Sequence, residues 1–130
     1  MKQEKGFTVI EIIVAIVFVG AAALLLLLQK ANLEASNRDK DRKIAINAMY
    51  YNLEEVFYEK QGHYPAKIDS KTLRAMDPQL FTDPMGNKMN EEGANYRYEG
   101  LDCNNDACKA YKLSSTMEKE AEYVKTNRNK

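Results

Sequence analysis

The sequence predicts an α+β chain: one long N-terminal helix, apolar through its first half, whose second half packs on a small antiparallel β-sheet head. Three observations predict it. From Phe7 to Leu28 only Thr8, Glu11 and Gly20 interrupt an apolar run of 22 residues, about 33 Å at helical rise against a bilayer core of roughly 30 Å. Further on, Ile46, Met49, Tyr50, Leu53, Val56 and Phe57 recur at helical spacing and make one apolar stripe. Finally, Asn95–Glu99 (NYRYE) and Lys109–Leu113 (KAYKL) alternate tyrosine or apolar residues with polar ones, the pattern of half-buried strands.

Composition bounds the rest. A chain of 130 residues leaves room for one small domain once the apolar run is set aside. Its mean hydropathy is −0.56 despite that run, so the remainder is strongly water-loving: one anchor carries one soluble head. Nineteen basic residues balance nineteen acidic ones, which gives no overall attraction to nucleic acid and leaves only local basic patches open.

Taken in order, Met1–Gly6 is too short for structure, and its Lys2 and Lys5 favour an N-terminus in the cytoplasm with the head outside. No proline precedes Pro65, so the helix is expected to run from Phe7 to Gln61, weakened only at Gly20. Ser36–Lys43 (SNRDKDRK) contains no apolar residue and reads as a solvated neck. Gly62 and Pro65 in QGHYP stop the helix. The predicted organisation is therefore 1–6 leader, 7–28 membrane helix, 29–61 amphipathic continuation and 62–130 head. A head of this size is too small for a large core of its own and is expected to wrap onto the stripe from Ile46 to Phe57. Within it, Ser70 is expected to cap a short helix, Lys71–Met76, ended by Pro78, and Asp83-Pro84-Met85-Gly86-Asn87 to form a turn. Tyr123–Thr126 reads as a third strand, with a helix over Met117–Tyr123 as the alternative.

Glu11 is the residue that asks for a function. An acid at the centre of an apolar span costs on the order of 2.5–3.5 kcal/mol or more and is normally there to meet a partner. A cleaved secretory signal would have a shorter apolar run and a small-residue cleavage site; a plain bitopic anchor would let Glu11 snorkel to the interface. On a helix, Phe7 and Glu11 would lie one turn apart on one face, displayed together.

The segment Lys5-Gly6-Phe7-Thr8-Val9-Ile10-Glu11 resembles the processing site of type IV prepilins and related pseudopilins. The resemblance implies that a membrane prepilin peptidase cuts after Gly6, that Phe7 becomes the N-methylated terminus, and that Glu11 is the acid fifth in the mature chain. It also implies the type IV pilin fold and polymerisation of identical subunits into a helical filament. The partners would be the peptidase and a pilus assembly platform, and the destination, by way of the cytoplasmic membrane, the cell surface. Glu11 would meet the positive terminus of a neighbouring copy, so that the cost of burying the acid is offset only on assembly. The Gly62-His63-Tyr64-Pro65 and Asp83-Pro84-Met85-Gly86-Asn87 turns are similar to turns of the same family. Leu28 departs from it, standing where a second helix-weakening proline is common. The implied function is a pilus subunit serving adhesion, twitching motility or DNA uptake; a pseudopilin of a secretion or competence machine is the alternative within the family, and an unprocessed bitopic binding module the alternative outside it.

Chemistry elsewhere is sparse. Cys103 and Cys108, placed outside the membrane, are expected to form one disulfide across a tight loop, the alternatives being free thiols or a metal site needing further ligands. His63 is the sole histidine and has no nucleophile motif beside it, so no enzyme and no cofactor are predicted. Asp102, Asn104, Asn105 and Asp106 gather oxygen donors, and some pseudopilins bind calcium in a C-terminal loop, but turn formation explains such residues equally well. Tyr50, Tyr51, Tyr58 and Tyr64 with Phe57 read as core packing rather than as an electron-conducting track.

Overall fold

A computed structural model describes residues 6–128; Met1–Lys5, most of the expected leader with its two lysines, lie outside them. Helix α1 runs Val9–Tyr51, continues through a π-helical turn at Asn52–Phe57 and ends as α2, Tyr58–Gln61. The helix starts two residues later than predicted because Thr8 caps it. It stops where Gly62 takes the left-handed conformation (φ 71°) and donates its amide to Tyr58 O at 2.7 Å.

The chain divides into two compact units at Glu34/Ala35. In the first, every described residue is exposed and the helix is unbroken at Gly20. The second is a four-stranded antiparallel sheet with the helix from Ala35 onward packed against it. Its strands are β1 (Tyr64–Pro65), β2 (Tyr96–Asn104), β3 (Ala107–Ser115) and β4 (Tyr123–Thr126). β3 is central: β2 pairs along one side, and the other side is shared by β1, opposite Ala107 and Cys108, and β4, opposite Lys112–Ser115. Tyr96, Tyr111, Leu113 and Ser115 bury one face of this sheet, as the predicted alternation requires, and join Ile46, Met49 and Leu53 of the stripe, which are inaccessible to solvent. The predicted third strand is present as β4. β1 was not foreseen, because two residues ending in proline carry no pattern, and proline is tolerated where a strand needs no ladder donor.

Three expectations need correction. Lys71–Met76 is a series of turns, not a helix, and Ser70 does not cap it. Asp69 Oδ1 instead accepts from Lys71 N and Thr72 N at 2.9 and 2.8 Å, and so short a segment, stopped by Pro78, has nothing to propagate a helix against. Pro78–Phe81 is itself a 3-10 turn, capped by Asp77. Second, the head does not begin its contact at Ile46: Ala35, Asp39, Arg42 and Ala45 are already buried. Third, the neck is solvated only in part, since Asp39 and Arg42 lie within the run that holds no apolar residue.

Candidate assembly face and the buried polar clusters of the head

At the start of α1, Thr8 and Glu11 close a capping box. Thr8 N donates to Glu11 Oε2 at 2.8 Å, Thr8 Oγ1 donates to the same oxygen at 3.0 Å, and Glu11 N donates to Thr8 Oγ1 at 3.3 Å. The threonine three residues before a glutamate was the available signal. Phe7 precedes the first helical residue, so the helical-face argument for Phe7 and Glu11 does not hold as stated. They nevertheless line one groove, which continues over Ala15 to Val19 and Gly20. Phe7 is 83% exposed, and a side chain added at Gly6 or Gly20 would meet no atom within 4 Å. Val9–Gln61 is long enough, and its first half apolar enough, to cross a membrane, with none of that apolar window buried in the chain.

The head holds two buried polar clusters. In the first, Arg42 Nη1 donates to Asp39 Oδ1 and to Glu118 Oε1, both at 2.8 Å, and its Nη2 reaches Asp83 Oδ2 at 3.4 Å. Asp39 also accepts from the amides of Glu118 and Lys119, the shortest of these bonds 2.7 Å, while Arg38 grips Glu118 through two bonds of 2.7 Å. Lys43 pairs with Glu120. The helix thus holds the β3–β4 connection by its backbone and by its charges. Burial presses the Asp39 carboxyl upward, but the two loop amides and Arg42 outweigh it and hold Asp39 below the usual carboxylate range. Asp83 behaves alike: burial is outweighed by Asn95, by the amides of Asn87 and Met85, and by Arg42. The Arg38 and Arg42 guanidinia lower Glu118 to about 2. The predicted turn at Asp83–Asn87 is present, with Gly86 at φ 90° and Asp83 Oδ1 accepting from Met85 N and Asn87 N. The second role of Asp83, facing Arg42 inside the head, was not legible.

In the second cluster Glu54, 6% exposed, accepts from Tyr64 OH at 3.0 Å, Tyr111 OH at 2.8 Å and Arg128 N at 3.1 Å. Leu53 and Glu54 of the π-turn are both buried, on the face that Ile46 and Tyr50 continue from α1. Burial, reinforced by Glu54, pushes the Tyr111 hydroxyl well above its ordinary pKa.

Cys103 and Cys108 form the expected disulfide. It joins directly opposed positions of β2 and β3, so the loop they enclose is itself the end of the hairpin, closed by Asn105 and Asp106. Asp102 and Asn104 stand in β2 while Asp106 stands in the turn. Among the described residues no group of three or more histidine, cysteine or acidic side chains is arranged to hold a metal. His63 lies edge-on to Phe57, 5.9 Å between centroids, its Nδ1 3.2 Å from Tyr64 O. Tyr64 is buried among Tyr58 and Tyr111, whereas Tyr51 is 56% exposed and outside that core. Comparisons with protein-family models, with curated proteins and with solved structures found no match to this chain.

Proposed function

We propose that this chain is the structural subunit of a type IV pilus-like filament, assembled through its N-terminal helix. Cleavage after Gly6 frees Phe7 as a positively charged, N-methylated terminus, and Glu11 of one copy receives the terminus of the next. One observation carries the reading: an acid stands at the entrance of an otherwise apolar helix, four residues after the Phe of a Gly-Phe junction, and that helix presents its whole apolar surface to the outside. A helix packed among copies of itself satisfies both the apolar surface and the acid.

The capping box favours a second reading, in which Glu11 serves only its own helix and the span anchors a binding module. Two measurements separate them. The mass of the mature N-terminus is expected to begin at Phe7; an intact Met1 or a cut elsewhere rejects pilin maturation. Glu11→Val is expected to leave membrane insertion and the oxidised head intact while abolishing or sharply reducing filaments, and wild-type filament abundance in that variant would refute the role of Glu11 between copies and leave it serving only its own helix.

A further inference from the structure

We infer that the head carries a binding cleft for a phosphate-bearing ligand, formed where the end of the helix meets the turns after Asp69. Charge is balanced over the chain but not here: Lys60–Arg74 carries Lys60, Lys67, Lys71 and Arg74 against the single carboxylate of Asp69. Lys60 from α2 and Lys71 and Arg74 from the turns line one cleft floored by Phe57 and Leu73, and no acidic side chain lines it.

What distinguishes these charges is that three of them line one cleft whose described lining contains no carboxylate. Arg38, Arg42, Lys43 and Arg128 each have a carboxylate partner. Among the described ion pairs none includes Lys60, Lys71 or Arg74. The nearby acid is already committed: Asp69 Oδ1 accepts from Lys71 N, Thr72 N and Thr72 Oγ1, the last at 2.9 Å. Arg74 Nε donates to Lys71 O at 3.0 Å, which fixes the guanidinium plane and leaves its two terminal nitrogens for a ligand. A planar fork beside two ammonium groups fits a compact anion with several oxygens, for which phosphate is the natural match. Asp69 acts electrostatically on Lys71, so three cations face one carboxylate, and a bound phosphate offsets the remaining positive charge. A soluble phosphate ester and a phosphodiester polymer share this chemistry.

The test uses the full chain in neutral detergent micelles, titrated calorimetrically with inorganic pyrophosphate and separately with poly(glycerol phosphate). Saturable binding of pyrophosphate assigns a small soluble phosphate anion; saturable binding of the polymer alone assigns a phosphodiester. Arg74→Gln is expected to weaken binding about tenfold, the value of one charge-assisted hydrogen bond, and the triple variant Lys60→Gln/Lys71→Gln/Arg74→Gln to abolish it. All three side chains are exposed, so an unchanged near-ultraviolet circular dichroism spectrum certifies the fold. Lys109→Gln, an exposed β3 residue outside the cleft, is expected to bind as wild type. No saturable binding of either probe, retained binding in the triple variant, or an equal loss in Lys109→Gln overturns the inference.

Discussion

Replacing Arg42 by methionine is expected to destabilise the head by about 3 kcal/mol at neutral pH, because it strands buried carboxylates rather than because it removes an attraction. Asp39 and Asp83 are 1% and 4% exposed, and removing one partner of a buried ion pair typically costs about 3–5 kcal/mol. The lower end applies here. Asp39 keeps the amides of Glu118 and Lys119, and Asp83 keeps those of Met85 and Asn87. The Arg42 contact to Asp83 is long at 3.4 Å, and its Nε, buried, has no hydrogen-bond partner. For a domain of this size that loss lowers Tm by roughly 12–24 °C, read by near-ultraviolet circular dichroism of the full chain in micelles.

The pH dependence provides the sharper check. Asp39 and Asp83 are held below their unfolded values, so their contribution is present above roughly pH 4 and disappears as pH falls through the folded values. Without Arg42 burial gains on the remaining donors and both folded pKa values rise. The gap between wild type and variant is therefore widest at neutral pH and narrows in acid. A Tm loss below about 4 °C at neutral pH, or a loss that stays constant into acid, refutes this account of the cluster.

Three further outcomes are expected. A methyl group added at Gly100 would stand 2.7 Å from Cys108 Sγ, 3.1 Å from Cys103 Sγ and 3.3 Å from Ala66 Cα; Gly100→Ala should thus cost about 1–3 kcal/mol in urea unfolding, and less in a background where both cysteines are serine. Glu54→Ala strands two buried tyrosine hydroxyls, at about 1–3 kcal/mol each, whereas Tyr111→Phe leaves Glu54 with Tyr64 and Arg128 N; the first should be the more damaging by equilibrium unfolding, and the reverse order would refute the hydrogen-bond assignment. Alkylation before reduction should label neither Cys103 nor Cys108, and replacing both by serine should lower stability by about 2 kcal/mol, as expected for so short a loop.

What the sequence made legible was largely periodic. The apolar run, the stripe from Ile46 to Phe57 and the alternation in β2 and β3 repeat with the period of the element they form, whereas Tyr123–Thr126 does not alternate in polarity and its strand was legible only from composition. What it concealed was pairwise and distant. Asp39 and Arg42 sit in a run with no apolar residue, and their burial depends on Asp83 and Glu118, about 41 and 76 residues from Arg42, so local composition pointed to solvent. Glu54 falls on the stripe's own spacing, eight residues after Ile46 and four after Tyr50, but a carboxylate in an apolar stripe points to solvent until its distant partners Tyr111 and Arg128 are known. The Thr8–Glu11 box, by contrast, was local and readable. The Thr8 hydroxyl and amide bond Glu11 within the first turn, a partner that the Thr-x-x-Glu spacing alone encodes.

The burial of tyrosines in a chain that has no tryptophan turns the head into its own optical indicator. Burial pushes Tyr96 up to about 12, and pushes Tyr98 and Tyr111 further from the ordinary phenol value, Tyr111 with help from Glu54. In alkali these hydroxyls resist ionisation while the head is closed and release their protons when it opens. The share of the ultraviolet phenolate absorbance that Tyr96, Tyr98 and Tyr111 contribute thus reports the opening of the head without a label. The same readout applies to heads held in a membrane or in a filament, because the apolar run from Phe7 to Leu28 contains no tyrosine.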